Sequence, residues 1–524
     1  MRLGTMTNRE IELKLVLPEG GAKMRPAALR RLIGAAKAAI HHDLETTYFD
    51  TPDEWLKRHG MALRVRRNGN RRIQTLKAPG ETVDGLQSFL EVESEIKGTR
   101  PTLSAVTDAK LRKRLEKEGI VERVRPVFTT RFERASWLIE RGGSKIEVAL
   151  DLGEIGARAA RVPIAEIELE LKSGEPADLF ICAERLAEDV PGRLGISTKA
   201  ERGYALINGT QAIPVRAEPL LLSRKGSAGD AFSALVRNCL VQLRANEAAI
   251  EQSEDAEAIH QFRVAIRRFR AGIGAFRQLI DDGAHAVMSI DLRWLQRQFG
   301  PARDLDVLLA DTLLPMQARL QGQMPIGALV EIAESARHEA RRRAHLALEN
   351  PRYAVMLLQI YRQLLTDGWR GRSDGAQGAL GLPVHDFADI WLGKAHKRLV
   401  KLGGDHAQLS EPELHRLRLL VKKMRYGAQA FASLYRGKRV EKYLLHLGHI
   451  QDHLGSLNDA VVGRHLLVEL IERLSKERGL SAQDTSALHG VVLGWQSHRI
   501  ASDLAGFQST WKAFRAQKKF WGED

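Results

Sequence analysis

Arg9-Glu10-Ile11-Glu12-Leu13-Lys14-Leu15 decides how the first half of the chain is read. Side chains alternate faces along a β-strand. Glu10, Glu12 and Lys14 therefore share one face, and Ile11, Leu13 and Leu15 the other. A second stretch repeats the pattern: Glu166, Glu168 and Glu170 alternate with Ile167, Leu169 and Leu171. An outward, solvated face would account for one such strand. Two of them, from opposite ends of one domain, are able to meet around a divalent cation, because Mg²⁺ and Mn²⁺ prefer oxygen ligands.

Cations follow in the same idiom. Arg64 and Arg66 share a face of Ala62–Arg67, Asn68-Gly69-Asn70 supplies a hairpin turn, and the return strand ends at Lys77. Two exposed basic strands is the plain alternative. Lining a cavity, guanidinium forks and an ammonium would match phosphate oxygens. A long strand over 127–139 carries Arg131, turns at Gly142-Gly143 and returns to Asp151. Glu91, Glu93 and Glu95 alternate in another strand, and their direction stays open. The spacing predicts eight strands, at about 9–17, 44–50, 62–67, 71–77, 88–96, 127–140, 144–151 and 164–172. Helices are expected over 25–40, 101–119 and 175–189. Short connections favour antiparallel pairing, and eight strands can close into a barrel without free edges. A charged interior is costly unless both signs, water, metal and a polyanion offset one another.

The E-x-E-x-K run, the Tyr48-Phe49-Asp50-Thr51 strand and the closing Ser197-Thr198-Lys199 and Tyr204 resemble the CYTH superfamily, also called triphosphate tunnel metalloenzymes, over about the first 205 residues. Thr198 stands where that family commonly has Ser. The resemblance implies an eight-stranded antiparallel tunnel with flanking helices. It implies metal-side acids at Glu10, Glu12, Asp151, Glu166, Glu168 and Glu170, serving Mg²⁺ or Mn²⁺. Phosphate grips would be Lys14, Arg64, Arg66, Lys77, Arg131 and Lys199, and the catalytic set Glu10, Glu12, Lys77, Arg64 and Arg66. The implied reaction is metal-dependent hydrolysis of inorganic triphosphate to diphosphate and phosphate. Relatives that cyclise ATP or hydrolyse thiamine triphosphate would need an aromatic clamp, and the strands show none added.

Residues 209–229, with Pro214 and Pro219, read as a linker. Beyond them the pattern is helical. His260-Gln261-Phe262-Arg263-Val264-Ala265-Ile266-Arg267-Arg268-Phe269-Arg270 matches His415-Arg416-Leu417-Arg418-Leu419-Leu420-Val421-Lys422-Lys423-Met424-Arg425 at an offset of 155 residues. The same offset relates Gln296 to Gln451, Gly300 to Gly455 and Asp304 to Asp459, which indicates a duplicated helical unit. At 100° per residue, His260, Arg263, Arg267 and Arg270 share a face, as do His415, Arg418, Lys422 and Arg425. Neither run contains an acid, whereas solvated faces usually mix both signs. The pattern resembles the CHAD domain over about 222–520, which implies binding of inorganic polyphosphate by those eight residues. The two copies share no ligand pair beside their histidines, so phosphate contact is favoured over metal ligation. Asp304 and Asp459 read equally well as helix caps or as groups that orient the arginines. A polyphosphate-binding protein with an inert barrel is the competing class, and the intact acids of both Glu-rich strands argue against it. The aromatic tail from Trp511 to Trp521 is expected to dock on the bundle.

Composition bounds these readings. A chain of 524 residues implies two or three domains. The net charge of +15 points to an anionic partner, and no nucleic-acid motif accompanies it. Cys182 and Cys239 fall in different domains, so no disulfide framework is expected. No apolar run is long enough to span a membrane. The cytoplasm is the default location, with polyphosphate granules implied by the second resemblance. The expected fold class is α+β: a tunnel domain at 6–208, the linker, and an all-α domain at 230–520 in two repeats, about 230–370 and 380–520.

Overall fold

The computed structural model describes residues 9–18, 24–79, 87–320, 324–404, 409–435 and 437–522. The chain divides into two compact units, one of residues 1–211 with Leu348–Gly368, the other of Ala212–Ala347 with Trp369–Asp524.

The first unit is a nine-stranded antiparallel sheet. Its strands are β1 (Arg9–Val16), β2 (Ile40–Asp50), β3 (Ala62–Asn68), β4 (Arg71–Pro79), β5 (Gln87–Ile96), β6 (Arg125–Arg141), β7 (Ser144–Ala157), β8 (Ala160–Ser173) and β9 (Arg193–Leu194). Their order is β5-β4-β3-β2-β6-β7-β8-β1-β9, and β1 also pairs with β5. That pairing runs only from Arg9↔Leu90 to Glu12↔Gln87. Further along, Leu15 and Val16 pair with β9 instead. The expected closed barrel is thus corrected: the ends of the sheet join over one short stretch, and the wall is not closed along its length. The short strand β9, unread in the sequence, takes β1's edge there.

Helices α1 (Pro26–Ile33), α2 (Trp55–Arg58), α3 (Ala109–Lys117), α4 (Ile120–Arg123), α5 (Pro176–Asp189) and α6 (Lys199–Asn208) flank the sheet. The helix expected over 25–40 stops at Ile33, where Gly34 takes the left-handed conformation (φ 63°) that ends helices; Ile40 already belongs to β2. Apolar packing lies largely on the outside of the wall. Trp55, Leu56, Leu115 and Ile120 cover Leu63, Val65, Leu76 and Val92.

The second unit is all helical. In chain order the helices are α7 (Ala228–Ala245), α8 (Glu247–Gln252), α9 (Ala256–Ala275), α10 (Asp282–Leu308), α11 (Leu314–Arg319), α12 (Ile326–Glu349), α13 (Pro351–Leu365), α14 (Asp374–Leu380), α15 (Val384–Leu402), α16 (Glu411–Phe431), α17 (Lys438–Arg478) and α18 (Ala482–Arg515). Of these, α13 belongs to the first unit, where Arg362 makes a two-pronged bond to Glu184 of α5 (2.6 and 3.0 Å). The helical block expected at 230–520 is therefore not one contact unit. The 155-residue offset carries α9 onto α16 almost residue for residue. The apolar faces read from sequence are core: Phe262, Ile266, Leu417, Val421 and Met424 are fully buried and Phe269 nearly so. Trp511, Phe514, Phe520 and Trp521 are buried as well, so the tail docks. No helix among the described residues is long and apolar enough to cross a membrane.

Candidate functional site

The register of the sheet carries the charges to one place. Lys14 stands opposite Glu168, and Glu12 opposite Glu170. Asp151 faces Glu166 across β7–β8 and Arg134 across β6–β7. Lys77 faces Glu91. Alternation turns these side chains, Asp151 and Glu166 excepted, into a cavity of about 380 Å³, lined by Glu12, Lys14, Arg64, Arg66, Lys77, Arg134, Glu168, Glu170 and Lys199 among others.

At Glu168 of its lining two further carboxylates, which do not line the cavity themselves, converge. Ligand oxygens of Asp151, Glu166 and Glu168 lie within 4.8 Å of one another. Asp151 and Glu166 are fully buried. Cations hold them. Arg134 grips Asp151 with two bonds of 2.7 Å and also bonds Glu168. Lys199 Nζ donates to Asp151 (2.7 Å) and Glu168 (2.9 Å) and touches Glu166. Lys14 lies 3.2 Å from Glu168 and 3.5 Å from Glu166. Arg202 reaches the other oxygen of Glu166. Burial opposes the charges of Lys14, Arg134, Glu168 and Lys199, and the partners outweigh it; at Arg202 burial prevails. Lys14 is raised against its desolvation by Glu166 and Glu168; Lys199 is raised likewise by Asp151 and Glu166. Glu168, despite burial, is held well below the usual carboxylate range by Lys199 and Arg134.

The donor set fits a hard divalent cation: oxygens only, three carboxylates, and an ammonium already seated at their meeting point.

The wall above is a lattice of ion pairs with one exception. Arg64 bonds Glu91 (3.0 Å), and Lys77 meets the other oxygen of Glu91 (3.3 Å). Lys172 bridges Glu147 and Glu170 (3.0 and 2.6 Å). Arg66 has no carboxylate partner among the described residues; its one bond is to the Thr46 hydroxyl, at 3.4 Å. Burial, then Arg64 and Arg134, push its guanidinium down to about 10. Tyr48 and Glu93 act in the opposite sense and do not offset the burial.

The expected set is therefore largely gathered, with one correction. Arg131 lies on the outer face, about two-thirds exposed, bonded to Glu45. Arg134, three residues on, occupies the inner position. Counting outward from the Gly142-Gly143 turn pairs Asp151 with Arg134, so hairpin arithmetic would have found it. Glu10 lies in β1, and its side chain falls outside the described residues. Glu91 and Glu93 resolve inward, whereas Glu95 bonds Arg71 on an exposed face. Tyr48 and Tyr204, quoted above for the resemblance and given no role, also line the cavity, as do Lys57 and Glu147, which the sequence reading passed over.

In the second unit the two copies make one cluster. Arg263 lies 3.7 Å from Asp304, and Arg418 3.9 Å from Asp459. Arg263 also feels Asp459, and Arg418 feels Asp304 and Arg267. Both aspartates sit inside long helices, α10 and α17, so they are not caps. Lys422 is pushed down to about 7 by burial and by Arg418 and Arg267. His260 is pushed down to about 4 by burial, Arg303 and Arg267, so it is neutral at pH 7. Among the described residues, the buried Nε–H groups of Arg263, Arg267 and Arg418 and the Nδ1 of His260 have no hydrogen-bond partner. Arg263 and Arg270 line a groove with Arg293 and Arg297, two cations the sequence reading passed over. Arg425 is half-buried on α16, and His415 is exposed near the start of that helix.

Two family models match the chain, and the second match includes Leu348–Gly368 of the first contact unit. The model of the CYTH domain matches residues 8–204, and that of the CHAD domain residues 234–468. An inorganic triphosphatase of Haemophilus influenzae is 38% identical over 204 residues, 38% of this chain and 55% of that one. The chain thus matches about half the length of that relative. The crystal structure of the CHAD domain from the plant Ricinus communis is 29% identical, covering 58% of this chain and 99% of that one with a TM-score of 0.48. PptA from Streptomyces chartreusis is 18% identical, covering 55% and 100%, with a TM-score of 0.43.

Proposed function

We propose that this chain, a CYTH domain followed by a CHAD domain, hydrolyses inorganic triphosphate to diphosphate and orthophosphate in the cavity of its first unit. The observation that carries the reading is Arg66, a guanidinium that, among the described residues, forms no ion pair with a carboxylate in a cavity otherwise rich in ion pairs. A linear polyphosphate supplies the charge that Arg66 lacks. Arg64, Lys77 and Arg134 then align it by exchanging part of their bonding from protein acids to phosphate oxygens. Asp151, Glu166 and Glu168, with Glu10, Glu12 and Glu170 alongside, would hold Mg²⁺ or Mn²⁺, which neutralises phosphate oxygens when bound. The chain's own part is positioning and electrostatics. Water adds to a terminal phosphorus, the P–O bond to the diphosphate breaks, and one proton is released to solvent. The curated triphosphatase resembling this half supports the same substrate. Phosphate release from triphosphate, with and without divalent metal, tests it; no release under either condition rejects the reading.

A second activity rests on separate observations. The orphaned donors of Arg263, Arg267 and Arg418 favour a bound polyanion in the second unit, and we assign it to inorganic polyphosphate, held by the faces of His260, Arg263, Arg267 and Arg270 and of His415, Arg418, Lys422 and Arg425. Asp304 and Asp459 orient the arginines. Within this reading the functional domains are 6–208 and 230–520, and the setting is cytoplasmic, with access to polyphosphate granules. Retention of long-chain polyphosphate by the full chain, and its loss in Arg263→Ala/Arg418→Ala, is the check.

A further inference from the structure

Two tyrosines line the cavity, and they are treated differently. Tyr48 stacks on Phe128 (4.5 Å between centroids, 17° between planes), and it favours the charged form of the Arg64 guanidinium. Tyr204 meets Phe128 edge-on and donates its hydroxyl to Asp50 at 2.6 Å. One face of the Tyr204 ring is covered: the Lys57 ammonium lies 5.2 Å from its centroid.

That lysine is held in place from several sides. Its ammonium bonds Glu54 at 2.6 Å. Glu54 in turn accepts from Asn208 at the end of α6 (3.1 Å), and its backbone sits at φ 54°, a left-handed conformation that a non-glycine residue adopts only where its surroundings impose it. Asp50, which fixes the Tyr204 hydroxyl, also accepts the backbone N–H of Lys57 (3.0 Å). One buried carboxylate thus positions both the ring and the residue that covers it. A lysine merely solvated at a rim would require none of this.

We propose that Lys57 is a specificity-determining residue: by occupying the Tyr204 face it denies a flat organic group a stacking surface, so the cavity takes a bare phosphate chain in preference to a triphosphate ester of an aromatic group. The inference rests on the triphosphate reading of the same cavity. An ammonium over the ring offers a charge to phosphate oxygens and steric cover to everything planar. Removing it leaves the ring face open beside the arginines that hold phosphate.

The experiment compares inorganic triphosphate and ATP as substrates of the full chain in wild type, Lys57→Ala, Lys57→Arg and Glu54→Gln. Lys57→Ala is expected to raise kcat/KM for ATP at least fivefold, through a lower KM. Glu54→Gln, which frees the lysine, shifts ATP in the same direction, and Lys57→Arg keeps the wild-type preference. An ATP kcat/KM that rises less than fivefold or falls in Lys57→Ala overturns the proposal, even if the substrate ratio shifts because triphosphate turnover dropped. Should Lys57→Ala fail to fold, as read by circular dichroism, Glu54→Gln carries the same decision. A wild type that releases no phosphate from triphosphate sinks the parent reading as well, and so is distinguishable from failure of the exclusion alone.

Discussion

Lys199 Nζ stands 2.7 Å from Asp151 Oδ2, at the point where Glu166 and Glu168 also converge. On the reading proposed above, the ammonium of α6 stands among the carboxylates that would hold a divalent cation. Removing one partner of a buried ion pair costs about 3–5 kcal/mol, because the others are left uncompensated. Lys199→Ala is accordingly expected to lower the thermal midpoint strongly in metal-free buffer. Mg²⁺ or Mn²⁺ should then restore more stability to the variant than to wild type, since ligand binding to the folded state alone stabilises it. Equal metal responses in melts of the two proteins would contradict the assignment of that cluster.

Arg134 and Arg131 differ by three residues and by a face of the wall. Arg134→Ala leaves Asp151 without its two-pronged partner and the phosphate without a guanidinium; kcat/KM for triphosphate should fall at least a hundredfold, about 3 kcal/mol of transition-state stabilisation. Arg131→Ala removes an exposed pair with Glu45, the kind worth at most about 1 kcal/mol, and should leave kcat/KM within twofold. Steady-state kinetics on both variants decides the matter.

These two arginines show where sequence stops being legible. The alternation of Glu10, Glu12 and Lys14 was readable because its opposite face is uniformly apolar. In β6 that contrast is lost: Ala135, Ser136 and Trp137 are all buried, since inner and outer faces are both covered. Without polarity contrast the phase of a strand is ambiguous, and only the hairpin register resolves it. The join between β1 and β5 was unreadable for another reason, since partial closure depends on which edge β9 takes. The duplication was plain at 155 residues because each copy keeps its core triad. The position of α13 in the first unit had no such signature; it is set by tertiary contacts such as Arg362 with Glu184.

Gly203 gives a packing test of how α6 presents Lys199. A Cβ there would lie 2.2 Å from the Phe128 ring. Gly203→Ala must push helix and ring apart, and overpacking of this kind costs about 1–3 kcal/mol. The thermal midpoint should drop, and KM for triphosphate should rise with it. A variant as stable as wild type would show that α6 is free to shift at no cost.

If the second unit binds a polyanion as proposed, Lys422 is expected to make that binding pH-dependent. Its folded-state value, about 7, lies below the ordinary lysine value. Between the two the folded state carries fewer protons than the unfolded one, so without ligand stability rises as pH climbs above 7. Binding has the opposite sign, because an anion favours the charged ammonium. Affinity for polyphosphate should be greatest below pH 7 and fall by up to about tenfold per pH unit above it, for one linked proton. Arg263, Arg267, Arg418 and Asp459 surround the group, and Lys422→Arg should flatten the profile. Titration calorimetry at pH 6, 7 and 8 on both proteins reads this directly.

The most direct test of the whole account is the rate of phosphate release from inorganic triphosphate by the full chain and by Arg66→Ala, each in Mg²⁺ or Mn²⁺. The account predicts turnover by the wild type and a loss of at least a hundredfold in kcat/KM when that unpartnered guanidinium is removed. A wild type that leaves triphosphate intact, or an Arg66→Ala variant that turns over as fast as wild type, would contradict it.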